Sequence, residues 1–167
     1  HEGEEALILD AFGALKKEHP EAVLLLVPRH PERFDKVAQM MEAFAQKYQY
    51  TTQRYAQNEG LASDIVLVDT LGELVNMYAI SDIVILGGAF EPIGGHNAAE
   101  AAQFGCKIIS GEHYFNQKDI FDAIEGIAVV EASNLSRRLL QHGLLKPTVI
   151  KSKSDITVIA ESLKRVL

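Results

Sequence analysis

The sequence is poor in cysteine and basic clusters and has no long hydrophobic run. Cys106 is the single cysteine, which excludes an internal disulfide framework and fits a reducing compartment. No apolar stretch approaches the roughly twenty residues needed to cross a bilayer, and we recognise no signal peptide. Lysine and arginine never exceed two in succession, and the formal net charge is −7. A nucleic-acid groove is therefore not expected.

Two common nucleotide-binding fingerprints are also missing. No G-x-G-x-x-G follows the first predicted strand, and no G-x-x-x-x-G-K-[ST] loop occurs, which disfavours a dehydrogenase or a P-loop ATPase. There is no D-x-D pair and no cluster of His, Asp and Glu with ligand spacing. We therefore expect neither a metal site nor a cofactor.

Helical and extended patterns alternate along the chain, as in βαβ units with a parallel sheet. We predict a single α/β domain, a Rossmann-like doubly wound parallel sheet. The predicted strands are 22–27, 50–55, 65–68, 83–86, 107–110 and 127–130. The predicted helices are 4–18, 31–48, 71–79, one that begins near Asn97, 115–125, 135–142 and 155–166.

Ligands bind such sheets beyond the carboxyl ends of the strands, and this rule selects three loops. The first is Pro28-Arg29-His30, where a guanidinium at the rim of the sheet suits a phosphate. The alternative is that Arg29 only pairs with a surface acid such as Glu32.

The second loop is Asp69-Thr70-Leu71-Gly72-Glu73. Asp69 or Thr70 can cap the next helix, with Glu73 as the partner in a capping box. Gly72 is not needed for that cap and weakens the first turn. A ligand lying against the backbone would explain it, so a capping role and a ligand role both stay open.

The third loop runs from Gly87 to Asn97 and contains the pair Gly94-Gly95. Asn97 is a plausible N-cap, with Glu100 one turn further on. The glycines would free the approach of a phosphate, and the Glu100 carboxylate is placed to accept both hydroxyls of a ribose. His96 could donate to a phosphate or pack under the loop. The alanines that follow, Ala98 and Ala99 among them, indicate close packing of helix on sheet.

Together these motifs resemble those of the 3-deoxy-D-manno-octulosonic acid (Kdo) transferases. The resemblance rests on P-R-H at 28–30, D-T-L-G-E-L at 69–74 and G-G-H-N-A-A-E at 94–100, followed by Gly105 and Asn116. It runs over nearly the whole chain and covers the C-terminal half of that enzyme. Ala98-Ala99 is a departure, because the family often has proline and a larger apolar residue there.

The resemblance implies a GT-B glycosyltransferase that transfers Kdo from CMP-Kdo to a lipid A precursor in lipopolysaccharide biosynthesis. Residues 1–167 would form the C-terminal CMP-Kdo-binding domain. The catalytic carboxylate, the acceptor site and membrane contact, at the cytoplasmic face of the bacterial inner membrane, would belong to an N-terminal domain absent here. This soluble piece would then be inactive alone, with no catalytic residue, metal or cofactor of its own. The implied CMP contacts are Pro28, Arg29, Leu71, Gly72, Glu73, Asn97, Ala98, Ala99 and Glu100, with His30, Gly94, Gly95 and His96 as possible phosphate or sugar contacts.

Two other readings stay open. One is a UDP-sugar GT-B transferase or a nucleotide-sugar epimerase domain. The other is a non-catalytic Rossmann-like ligand-binding module. A receiver domain is disfavoured, because Pro28-Arg29-His30 stands where that class needs an acidic cluster.

Overall fold

A computed structural model describes residues 2–58, 60–151, 157 and 159–161. The chain divides into two compact units, residues 1–74 and 75–167. The helices are α1 (Glu4–Glu18), α2 (Phe34–Tyr48), α3 (Leu74–Ile80), α4 (Ala99–Gln103), α5 (Lys118–Asp122) and α6 (Leu135–Leu140). The strands are β1 (Leu24–Leu26), β2 (Thr52–Arg54), β3 (Ile65–Leu67), β4 (Ile83–Leu86), β5 (Lys107–Ser110), β6 (Ile124–Glu125), β7 (Ala128–Val129) and β8 (Val149–Ile150).

The first unit contains a three-stranded parallel sheet in the order β1-β3-β2. Its central strand, β3, is fully buried, as its uninterrupted apolar sequence predicts. Leu9 and Phe12 of α1 and Val37 and Met41 of α2 form a core cluster with the β-strand residues. The amphipathic patterns of these two helices thus bury their apolar faces together with the sheet.

The second unit contains a parallel sheet in the order β4-β5-β7 and an antiparallel pair, β6 with β8. Ile108 and Ile109 of β5 are fully buried. Helix α4 contacts β5 and β8, and Ala98, Ala99 and Ala101 are fully buried. Small side chains permit this close contact, as the alanine-rich sequence predicts.

All six predicted strands are present, and the parallel α/β class is confirmed. The strands of the described residues form two parallel sheets and one antiparallel pair, whereas a single sheet was expected. The predicted helix 115–125 is wrong at its end. Ile124 instead pairs with Ile150 in a short strand that the local sequence does not predict. The predicted helix 155–166 lies largely outside the described residues.

Candidate functional site

Two of the candidate loops leave the same edge of the sheet in the first unit. Strands β1 and β3 pair in parallel, and the Val68 N–H donates to Leu26 O at 2.8 Å, immediately before both loops begin. The segment 28–30 and the segment 69–73 therefore start side by side at the carboxyl ends of their strands. This is the edge at which parallel α/β sheets bind ligands.

The side chain of Arg29 is exposed at this edge. Within the described part of the chain Arg29 forms no ion pair, so the alternative that it pairs with Glu32 is not supported. Glu32 instead lies 3.7 Å from Nδ1 of His30. The guanidinium thus stays available for an anionic ligand, while Pro28 and His30 flank it in the same loop.

The predicted capping box at 69–73 is wrong. Helix α3 begins at Leu74, so Gly72 and Glu73 precede the helix. Gly72 has φ +86°, a conformation that side chains rarely adopt, and this explains the glycine without a ligand. The position where a Cβ would stand is open, with no atom within 4 Å, and Leu71 is 68% exposed. The turn therefore presents its backbone and an apolar side chain outward.

Asp69 does not cap α3 but binds the neighbouring strand segment. Its Oδ2 accepts from Arg54 Nε at 2.6 Å, and its Oδ1 accepts from the Ala56 N–H at 2.8 Å. Burial by itself would raise the pKa of Asp69, but the bonds from Ala56 and Arg54 outweigh it and lower this pKa below its usual value. Asp69 is therefore ionised at neutral pH and fixes the start of the loop. The sequence signal is a lone carboxylate directly after a buried strand.

The third candidate loop, which follows β4, is tightly packed within the second unit. The Gly95 N–H donates to Gly88 O at 2.7 Å, which closes the loop on itself. A Cβ at Gly88 would lie 2.9 Å from Cδ2 of His96, so the ring of His96 packs against that glycine. This is the packing role considered for His96, and its contact with a phosphate stays a prediction.

The segment after β5 covers the glycine pair. The Asn116 N–H donates to Gly94 O at 3.0 Å, and a Cβ at Gly94 would overlap the Asn116 amide. A Cβ at Gly95 would lie 2.9 Å from Cα of Tyr114. The two glycines, at φ +117° and +89°, thus make room for this neighbouring segment. The phosphate contact expected at these two glycines stays a prediction.

Helix α4 begins just after this loop. Asn97 Oδ1 accepts from the Ala99 N–H at 2.8 Å, so its side chain satisfies an N–H of the first turn, but the N-cap residue is Ala98, one position later than predicted. The helix itself starts at Ala99, after Ala98. Ala98 and Ala99 are fully buried, and their contact with CMP stays a prediction. Glu100 is half-buried on the first turn.

Within the described residues no group of three or more His, Cys, Asp or Glu side chains could hold a metal ion. No helix of those residues has the length and apolar character needed to cross a membrane.

Cys106 is buried, and its thiol lies 3.3 Å from Tyr78 O. Burial raises the pKa of this thiol, so it is not a reactive nucleophile.

Comparison with known proteins defines the class first. Residues 5–142 match the family described as glycosyl transferases group 1. The chain belongs to this family. The parallel α/β fold and the motifs at the strand ends agree with it.

More specific likeness comes from individual relatives. The chain is 40% identical over 121 residues to the 3-deoxy-D-manno-octulosonic acid transferase of Haemophilus influenzae, covering 72% of this chain and 28% of that protein. It is 40% identical over 135 residues to the enzyme of the same name from Bordetella pertussis, covering 78% of this chain and 31% of that protein. The chain thus spans about a third of the length of these curated relatives.

A solved structure extends the likeness to three dimensions. The C-terminal CMP-Kdo binding domain of WaaA from Acinetobacter baumannii superposes with a TM-score of 0.70 at 26% identity. The match covers 98% of this chain and 83% of that one. The resemblance to Kdo transferases and the expected fold, that of a GT-B C-terminal domain, are confirmed.

Proposed function

We propose that this chain is the donor-nucleotide domain of a Kdo transferase and binds the CMP moiety of CMP-Kdo. The observation that carries the proposal is the joint likeness to named Kdo transferases over 72% and 78% of this chain and to a CMP-Kdo binding domain over 98% of it. The same likeness favours CMP over the UDP of the alternative reading. The whole enzyme would transfer Kdo to a lipid A precursor at the cytoplasmic face of the inner membrane.

In this proposal the loops of the first unit hold the nucleotide phosphate. When the bond between the anomeric carbon and CMP breaks, the phosphate gains negative charge. Arg29 is exposed and forms no ion pair within the described part of the chain, so its planar fork can meet that phosphate and stabilise it most in the transition state. The open backbone at Leu71 to Glu73 offers further contacts beside it.

Glu100 would contribute the ribose contact. It stands on the first turn of α4, after Asn97. A carboxylate there can accept from both ribose hydroxyls, as acidic residues do in dinucleotide folds. Asn97 and the main chain at Ala98 and Ala99 would line the same place.

The division of labour between domains completes the proposal. We place the base that deprotonates the acceptor hydroxyl, and the acceptor itself, in the N-terminal domain of the whole enzyme. The reaction would proceed without a divalent metal, as the resemblance implies, with Arg29 balancing the charge on the leaving CMP. This chain by itself would then bind CMP weakly and transfer nothing, because no oriented nucleophile is present.

Calorimetric titration with CMP, UMP and a UDP-sugar tests the donor assignment. We expect CMP to bind with a Kd in the high micromolar range, about −5 kcal/mol. UMP is the matched control, because it differs from CMP only in the base. A UDP-sugar that bound more tightly than CMP would support the alternative reading and contradict ours.

The absence of transfer has its own test. The chain is incubated with CMP-Kdo and a lipid A precursor, beside a sample without protein. Glycosylated product above that control would show that a catalytic base lies within these residues, and the proposed division of labour would be wrong.

A further inference from the structure

The carboxylate of Asp69 stands at the start of the second candidate loop. Its side chain is 2% exposed, and both of its oxygens accept hydrogen bonds from the segment at the end of β2. Arg54 is bound on its other side by Asp35 of α2, with Nη1 and Oδ1 2.9 Å apart. One guanidinium thus connects the first turn of α2 to the last residue before the loop 70–73.

The loop itself is open, in contrast to its anchor. Leu71 is 68% exposed, and nothing lies within 4 Å of the space where Gly72 would carry a Cβ. The position of such a loop depends on where its ends are held. At its entrance the main chain is fixed to β1 through Val68 and Leu26, and the Asp69 side chain fixes it to β2.

We propose that Asp69 is a positioning residue of the donor site, which acts through Arg54 and the Ala56 N–H to hold the loop 70–73 in its binding conformation. The inference rests on the proposed function, because it assigns that loop to the nucleotide. Asp69 itself need not touch the ligand. Its two oxygens face protein donors, and the site residues follow it in the chain.

The chemistry of the pair explains why a carboxylate is needed. Asparagine has the same shape and can still accept from Ala56, but its amide would direct N–H groups at Arg54 Nε, which only donates. Asp69→Asn therefore breaks the inner bond while keeping the packing. A buried charge-assisted bond of this kind is far stronger than the exposed Arg54–Asp35 contact.

Asp35→Asn is the matched control. It makes the same chemical change to the other partner of Arg54, but the Asp35 side chain is 84% exposed. The test measures CMP affinity by calorimetry and deuterium uptake of the amides at 70–73, at a temperature where each variant is fully folded. A merely structural role would lower the unfolding temperature without changing either readout in the folded protein.

We expect Asp69→Asn to weaken CMP binding about tenfold and to speed exchange at 70–73, while amides in the centre of α2 keep the rate of the wild type. Asp35→Asn should leave both readouts within about twofold. If Asp69→Asn does not fold, Arg54→Met removes the same bond from the other side and should give the same two effects.

Two results overturn the inference. One is exchange at 70–73 in Asp69→Asn that equals exchange in Asp35→Asn. The other is faster exchange with CMP affinity unchanged.

The wild type separates failure of the inference from failure of the proposed function. If the wild-type chain binds no CMP, the proposed function fails, and the inference falls with it. If the wild type binds CMP and Asp69→Asn binds it equally well, the inference alone is wrong.

Discussion

The two units fix their candidate loops by different means. In the first unit a charged pair does so, Asp69 with Arg54. A second pair in that unit, Asp64 with Lys16 at 2.6 Å, joins α1 to the amino end of β3. In the second unit main-chain hydrogen bonds and glycine contacts do so, with Gly94 and Gly95 against the segment at Tyr114 to Asn116. The first unit should therefore respond to changes of charge and pH. The second should respond to changes of side-chain size.

The largest expected effect tests the size rule at Gly111, directly after β5. A Cβ there would overlap the carbonyl group of Ala89 and lie 2.5 Å from the Phe90 nitrogen, and these are main-chain atoms that cannot swing away. We expect Gly111→Ala to cost about 3 kcal/mol of unfolding free energy in urea melts followed by circular dichroism. Gly143→Ala, with no atom within 4 Å of its Cβ, should change stability by less than about 0.5 kcal/mol. Equal losses in the two variants would refute the packing argument.

A second comparison sets one glycine from each unit side by side. Gly72 and Gly94 both have positive φ, but only at Gly94 does a side chain, that of Asn116, occupy the Cβ position. We expect Gly72→Ala to cost about 1 kcal/mol through backbone strain, and Gly94→Ala about 2 kcal/mol through strain plus overlap. Adding Asn116→Ala should reduce the cost at Gly94 to that at Gly72. A double variant as unstable as Gly94→Ala in urea melts would show that Asn116 is not the obstacle.

The smallest expected effect concerns acid and the first unit. The bond from Lys16, with further bonds from the Thr51 main chain and hydroxyl, lowers the pKa of Asp64 below its usual 3.8. A carboxyl with a lowered folded pKa stabilises the protein above its unfolded pKa, and this contribution is lost as the pH falls through the folded value. The wild type should therefore exceed Asp64→Asn by about 1 kcal/mol between roughly pH 5 and 7. That advantage should shrink below about pH 4.

Urea melts at stepped pH measure this difference. Glu112→Gln in the second unit removes an exposed carboxylate that forms no ion pair within the described part of the chain, and it controls for the loss of one negative charge. A pH-independent gap for Asp64→Asn would mean that the Lys16–Asp64 pair adds nothing specific to stability.

Much of the fold could be predicted from the sequence because the signals are local. The apolar run at 65–68 predicts a buried strand, and α1 has the predicted bounds, Glu4–Glu18. The pairing of β6 with β8 was missed because it joins segments about 25 residues apart, each with only two residues in the ladder. Such short strands carry no periodicity that distinguishes them from a helix end.

The candidate site was predictable in its loops but not in its contacts. Strand ends and glycines located residues 28–30, 69–73 and 94–100. One assignment failed and another gained a second explanation, because a pattern of residue types fits more than one partner. Asp69 matches a helix cap yet binds Arg54 across the sheet, and Gly94 matches a phosphate approach yet receives Asn116. Which partner a short polar residue or a glycine meets depends on tertiary packing, which spacing alone does not encode.

One measurement tests the central claim that Arg29 and Glu100 each contact CMP: calorimetric CMP titration of the wild type, Arg29→Ala and Glu100→Gln. Arg137→Ala, which removes an exposed arginine on α6, controls for net charge. We predict that Arg29→Ala and Glu100→Gln each weaken CMP binding by roughly 1.5 to 3 kcal/mol, whereas Arg137→Ala binds like the wild type. Folded Arg29→Ala and Glu100→Gln variants that bind CMP with wild-type affinity would contradict the account.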